Sequence, residues 1–145
     1  MTAVSYSSDP TDRDWAEVLA RFPLFSKVGK RKLRKVARDA HFAEISPGEE
    51  VIARGAPADS FYVILGGEAA VRDRPRAPRL RTGDYFGEMA LIEGGHRTAS
   101  VVATEELHLM RLPHQSFMEI VKERGVAMRI LETLGTRLRR AEERV

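Results

Sequence analysis

The feature that most constrains this chain is the punctuation of its middle third. Between His41 and Leu112, short apolar runs are closed every few residues by turn formers: Pro47-Gly48, Gly55 with Pro57, Gly66-Gly67, Pro75 with Pro78, Gly83-Asp84 and Gly94-Gly95. Runs such as Val51-Ile52-Ala53, Phe61-Tyr62-Val63-Ile64-Leu65 and Ser100-Val101-Val102 are too short for helices and rich in β-branched or aromatic residues. Leu107, Leu109 and Leu112, with His108 and Arg111 between them, predict a final half-buried strand. Strands at this spacing predict a β-sandwich or barrel.

Helical patterns flank that region. Asp14 is a candidate N-cap, and Trp15, Val18, Leu19 and Phe22 follow at helical spacing until Pro23 interrupts. A second segment carries Val28, Leu33, Val36 and Ala37 on one side, amid Lys27, Lys30, Arg31, Lys32, Arg34, Lys35 and Arg38. Apolar residues keep helical spacing through that run and no aromatics alternate with the charges, so it reads as the solvated face of an amphipathic helix. After Pro113 the helical period returns: Phe117, Ile120 and Val121 mark one helix, and Gly125 is expected to break it. Ala127, Ile130, Leu131, Leu134, Leu138 and Ala141 mark a longer second helix. The organisation expected is a flexible tail over 1–12, then a single domain over 13–145. Within it, helices fill 13–40, the β core 41–112 and C-terminal helices 113–143.

Composition narrows the chemistry. Zero cysteine among 145 residues excludes disulfides, Cys-ligated metal and thiol catalysis. No apolar run approaches the ~18 residues of a membrane helix, and the first ten residues lack a secretory pattern, so a cytoplasmic protein is expected. Lys and Arg number 24 against 21 Asp and Glu, an excess too small to require a nucleic-acid partner. His41, His96, His108 and His114 are scattered, with no paired spacing for a metal, so neither metal nor enzymatic chemistry is expected.

One stretch carries chemistry of its own: Phe86-Gly-Glu-Met-Ala-Leu-Ile-Glu-Gly-Gly-His-Arg-Thr-Ala-Ser-Val101. Gly87 lets backbone approach a ligand closely, and amides at a helix start attract an anion. Arg97 brings a permanent charge in a fork suited to phosphate, and Thr98 a hydroxyl. Glu88, acceptor-only when ionised, suits a sugar hydroxyl and repels phosphate. Together they point to a ligand with both phosphate and ribose-like hydroxyls. The alternative at this point is an ordinary turn with a Glu–Arg ion pair.

This segment resembles the phosphate-binding cassette of the cyclic nucleotide-binding domain family. Pro47-Gly48-Glu49 is similar to the family's first hairpin, Gly55 to Asp59 and Phe61 to Gly66 to its loop and third strand, and Gly83 to Phe86 to the lead into the cassette. The resemblance covers about residues 14 to 140. It implies a mainly β fold with flanking helices: an eight-stranded antiparallel jelly roll with N-terminal helices and two C-terminal helices. It implies that Glu88 accepts the ribose 2′-hydroxyl and that Arg97 pairs with the cyclic phosphate. Amides of Gly87, Ala90 and Thr98 would support that phosphate, the Thr98 hydroxyl would add a contact, and Met89 and Ala99 complete the cassette. Val71 and Leu80 fall where relatives pack apolar side chains on the base. His96, at a place often occupied by proline in kinase members, reads as a surface turn residue. The ligand implied is cyclic AMP ahead of cyclic GMP, with the C-terminal helix as a lid.

Catabolite activators of this family continue into a DNA-reading module, whereas this sequence ends at Val145. The expectation is therefore a sensor acting on a partner protein or fused effector of unknown identity, with no nucleic acid bound directly. The competing expectation is a degenerate jelly roll that serves as an interaction module without ligand.

Overall fold

The computed structural model describes Val4, Tyr6 and residues 14–143, with side chains described as far as residue 139. Most of the tail expected over 1–12 thus lies outside the described residues. The described residues form two compact units, one of Val4 and Tyr6 with residues 39–117 and one of residues 14–38 with 118–143.

The first unit is the β core. Eight strands form in chain order: β1 (His41–Ile45), β2 (Glu50–Ile52), β3 (Ser60–Gly66), β4 (Glu68–Val71), β5 (Leu80–Arg81), β6 (Tyr85–Phe86), β7 (Val101–Ala103) and β8 (Leu107–Pro113). They pair antiparallel into two four-stranded sheets, ordered β1-β8-β3-β6 and β2-β7-β4-β5. Successive strands repeatedly change sheet, which is the jelly-roll arrangement. Ala43, Ile45, Tyr62, Ile64, Phe86, Leu107 and Leu109 of the first sheet cluster with Ala69, Val101 and Ala103 of the second. Side chains of alternate residues share one face of a strand, so these pairs define the inner faces.

The strand expected to be half-buried, β8, is buried on both faces. Leu107 and Leu109 point inward, while Met110 and Leu112 on the other face are also fully covered. The reason is a second apolar layer on the outer face of the first sheet. There Phe61, the cross-strand partner of Leu112, stacks on Phe117 of α4 (His114–Ile120), with ring centroids 4.7 Å apart. Tyr85 lies 5.6 Å from the same Phe61 ring. Ser116 Oγ adds a hydrogen bond to Asp39 Oδ2 at 3.2 Å.

The second unit is helical. In α1 (Trp15–Leu19) the Asp14 carboxylate caps the helix by accepting from the Glu17 amide at 3.3 Å. Pro23–Phe25 forms a single 3-10 turn that buries Leu24 and Phe25. In α2 (Lys30–Asp39) Leu33 and Val36 are buried and the cations face outward. Lys32 pairs with Glu123 and Lys35 with Glu119, so part of the basic run meets carboxylates within this unit.

The helix break expected at Gly125 falls elsewhere. The chain breaks over residues 121–123, and Gly125 lies inside the first turn of α5 (Arg124–Glu143). Its role is steric: a Cβ there would come within 2.8 Å of Lys27 Cβ, so glycine lets the chain after the 3-10 turn pack against α5. Val126 and Ile130 are buried along α5, whereas Leu131 and Leu138 are exposed. Among the described residues, no helix is long and apolar enough to cross a membrane.

The sheet-to-sheet crossing from β3 to β4 depends on one glycine. Gly67 has φ +93°, and a Cβ there would collide with the Glu106 carbonyl oxygen and sit 3.0 Å from Leu107 Cα. Gly67→Ala is expected to destabilise the protein by at least about 2 kcal/mol, combining left-handed strain with overpacking. Gly66→Ala, whose Cβ meets only the His108 side chain at 3.4 Å, should be close to neutral. Urea unfolding of both variants measures the difference.

Candidate functional site

The segment 87–100 is the connection that carries the chain from the first sheet to the second. β6 ends on the edge of one sheet at Phe86, and β7 begins in the other at Val101. Between them lies the short helix α3 (Glu88–Glu93), entered and left through glycines in the left-handed conformation, Gly87 at φ 90° and Gly94 at φ 71°. First-turn amides of a helix have no intrahelical acceptor, so the start of α3 presents N–H groups from Glu88 to Ala90.

Arg97 is the centre of this connection. It is 5% exposed, and its guanidinium donates from Nη1 to the Gly87 carbonyl at 2.7 Å and from Nη2 to the Ser60 carbonyl at 2.5 Å. Its main chain is fixed as well: the Arg97 amide donates to Ala56 O and its carbonyl accepts from the Gly55 amide, both at 2.8 Å. The neighbouring His96 bridges to Pro57 and is exposed, as a surface turn residue would be. Gly87 cannot be replaced without disturbing this arrangement. A Cβ there would approach Arg97 Nη1 to 2.9 Å and Tyr62 Cδ2 to 3.2 Å.

Glu88 is 2% exposed, so the carboxylate and the guanidinium are both withdrawn from water within one short connection. An ordinary exposed turn with a surface ion pair does not have this form. Ala90 is buried with them, Ala99 is half-buried, and Met89 and Thr98 are exposed. Val71 and Leu80 lie in the second sheet. Leu80 is the cross-strand partner of Ala69 and packs against the inner cluster, and Val71, two residues beyond Ala69, shares that face. The arginine-rich turn between them is tied down at its edges. Arg72 pairs with Glu50 at 2.7 Å, and Arg79 and Arg81 both reach Glu68 at 3.3 Å. Asp73 within it has φ +62°.

Three participants had no signal in the sequence reading. Ser60 contributes a backbone carbonyl, which no side-chain pattern encodes. Tyr62 lies in an apolar run that reads as core, yet its ring sits 5.6 Å from the Arg97 guanidinium carbon and stacks on Phe86 at 5.1 Å. Arg111, the cross-strand partner of Tyr62, completes the surroundings of that ring. Burial is the main force raising the Tyr62 phenol above its usual pKa, against the opposing pull of Arg97.

The family model of the cyclic nucleotide-binding domain matches residues 42–124, and the chain belongs to that family. The chain is 33% identical over 112 residues to a cAMP-dependent protein kinase regulatory subunit of Aspergillus fumigatus, covering 75% of this chain and 27% of that protein. It thus spans only about a quarter of the length of that relative. Its fold is similar to that of the catabolite activator protein of Thermus thermophilus, with TM-score 0.71 and 24% identity, over 84% of this chain and 61% of that one. It is also similar to the regulatory domain of Toxoplasma gondii PKA solved with cAMP, with TM-score 0.70 and 23% identity, over 83% of this chain and 49% of that one.

The state of Tyr62 gives a pH test. The folded protein keeps this phenol neutral beyond the pH at which an unfolded tyrosine ionises, near 10. The unfolded state therefore holds fewer protons above that pH, and stability falls as pH rises from about 10. Urea unfolding at pH 8 and above pH 10 should show that loss, and Tyr62→Phe should reduce it.

Proposed function

We propose that this protein is a cyclic nucleotide sensor that binds cyclic AMP in the cassette and passes on the binding event through its C-terminal helix. The observation that carries this reading is the buried Arg97 guanidinium held by Ser60 and Gly87, with the buried Glu88 following Gly87 in the chain. Two of the five guanidinium donors are used by carbonyls, and the remaining edge suits the cyclic phosphate. Glu88 suits the ribose 2′-hydroxyl, and Gly87, Met89, Ala90, Thr98 and Ala99 form the rest of the cradle. Val71 and Leu80 would flank the base.

Cyclic AMP is favoured over cyclic GMP because a relative 33% identical to this chain is a cAMP-dependent kinase regulatory subunit. The apolar faces at Val71 and Leu80 ask for nothing from the base edge, and Thr98 accommodates either purine. The reading is of a regulatory protein and not an enzyme, located in the cytoplasm, whose two units over 13–145 work as one sensor. Its output is a partner protein or a fused effector. An interaction module without ligand is disfavoured by the retention of both buried charged groups in the cassette.

At roughly −0.3 kcal/mol per atom for about 22 non-hydrogen atoms, cyclic AMP would bind at about −6.6 kcal/mol, a dissociation constant near ~10 μM. Truncating Arg97 would leave a desolvated phosphate unpaired, at about 2–5 kcal/mol. Calorimetry should therefore find Arg97→Ala at least ~30-fold weaker for cyclic AMP, with Arg97→Lys between it and the parent. Glu88→Ala should erase the difference between cyclic AMP and its 2′-deoxy analogue. Unchanged affinity in Arg97→Ala would remove the assignment.

The switch follows from differential affinity: a ligand moves an equilibrium only as far as it prefers one state. The lid is assigned to the α5 segment with Ile130, Leu131, Leu134 and Leu138, of which Leu131 and Leu138 are exposed. Hydrogen exchange over 125–143 should slow when cyclic AMP is added, and unaltered exchange there would argue for a different output element.

A further inference from the structure

Tyr6 and Val4 pack against the cluster between the two sheets, as Leu80 does. The Arg111 guanidinium carbon lies 4.0 Å from the Tyr6 ring centroid, a cation–π contact. Arg111 is also the cross-strand partner of Tyr62, whose ring lies against Arg97 and would touch any side chain placed on Gly87. Tyr62 thus lies between the cassette, through Arg97, and the strand position that holds the Tyr6 contact, through Arg111. The Tyr6 hydroxyl is buried and has no hydrogen-bond partner among the described residues. Its phenol is raised well above the usual pKa, mainly by burial.

A buried hydroxyl without a partner is unfavourable, and a phenylalanine would pack at this place without that cost. That cost weakens the contact. It also lies on the face of the β core that must admit the base and ribose, if the nucleotide reading above is right.

We propose that Val4 and Tyr6 act as an internal plug, with Tyr6 docked on Arg111, which occupies the inter-sheet surface near Tyr62 and is displaced when nucleotide binds. Such a plug sets a threshold. Apparent affinity falls in proportion to the fraction of molecules in which the site is open, so a plug seated in nine molecules of ten weakens binding about ten-fold. Arg111 is then the residue that sets the plug's occupancy.

The test is calorimetry with cyclic AMP on the full chain and three variants, each checked by thermal melting. Tyr6→Ala and Arg111→Met remove the two halves of the contact and should tighten binding, by about ten-fold for the occupancy above. Tyr6→Phe keeps the ring and removes the unpartnered hydroxyl, so it should seat the plug more firmly and weaken binding. These opposite signs at one position are not expected of a residue that merely supports the fold. Binding at equal affinity in all four proteins overturns the plug and leaves the nucleotide reading standing. Weaker binding by Tyr6→Ala also overturns it, making Tyr6 a wall of the site. No binding by any of the four overturns both readings.

Discussion

The site depends on where the Arg97 guanidinium ends its bonds. By donating to Ser60 O on β3 and to Gly87 O at the entrance of α3, it ties the connection between the two sheets to the centre of one of them. A guanidinium is a costly thing to bury, and it is tolerated when its fork is met by well-placed acceptors. Once it is fixed, the surrounding choices follow. Residue 87 must lack a side chain, Tyr62 must present a flat ring, and the main chain of 55–56 must run beside 97 to exchange hydrogen bonds with it.

The same bond connects fold to function. A short connection between two sheets gives few residues in which to place opposite charges out of water, and this chain buries Glu88 at the start of α3 and Arg97 beyond its end. The second sheet brings Val71 and Leu80 to one inner surface, where the proposed base site would find its apolar walls. The proposed ligand site belongs to the crossing between sheets, which the strands on either side anchor.

Legibility in the sequence was uneven for physical reasons. The strands of the core could be read because turn residues punctuate them and because short β-branched runs have few other uses. Gly87, Glu88 and Arg97 stood out because they are chemically distinct and lie within eleven positions. Gly125 misled because glycine weakens a helix in general, whereas here it removes a clash with Lys27, and such a clash depends on a neighbour about a hundred residues away. The double-sided burial of β8 was hidden for a similar reason. Its outer face is covered by aromatic side chains from other elements, and alternation with His108 and Arg111 suggested only one buried side.

By itself, then, the sequence determined the order of helices and strands and the family, and it singled out Glu88 and Arg97 by their chemistry. These are carried by local pattern and by residue chemistry, which need no partner to be recognised. The tertiary structure decided what surrounds Arg97. Ser60 offers it a main-chain oxygen and Tyr62 a ring taken from an apolar strand, while Arg111, the cross-strand partner of Tyr62, meets Tyr6 from more than a hundred positions away. Those partners are set by strand register and by the packing of two sheets, and neither is written in any one stretch of the chain.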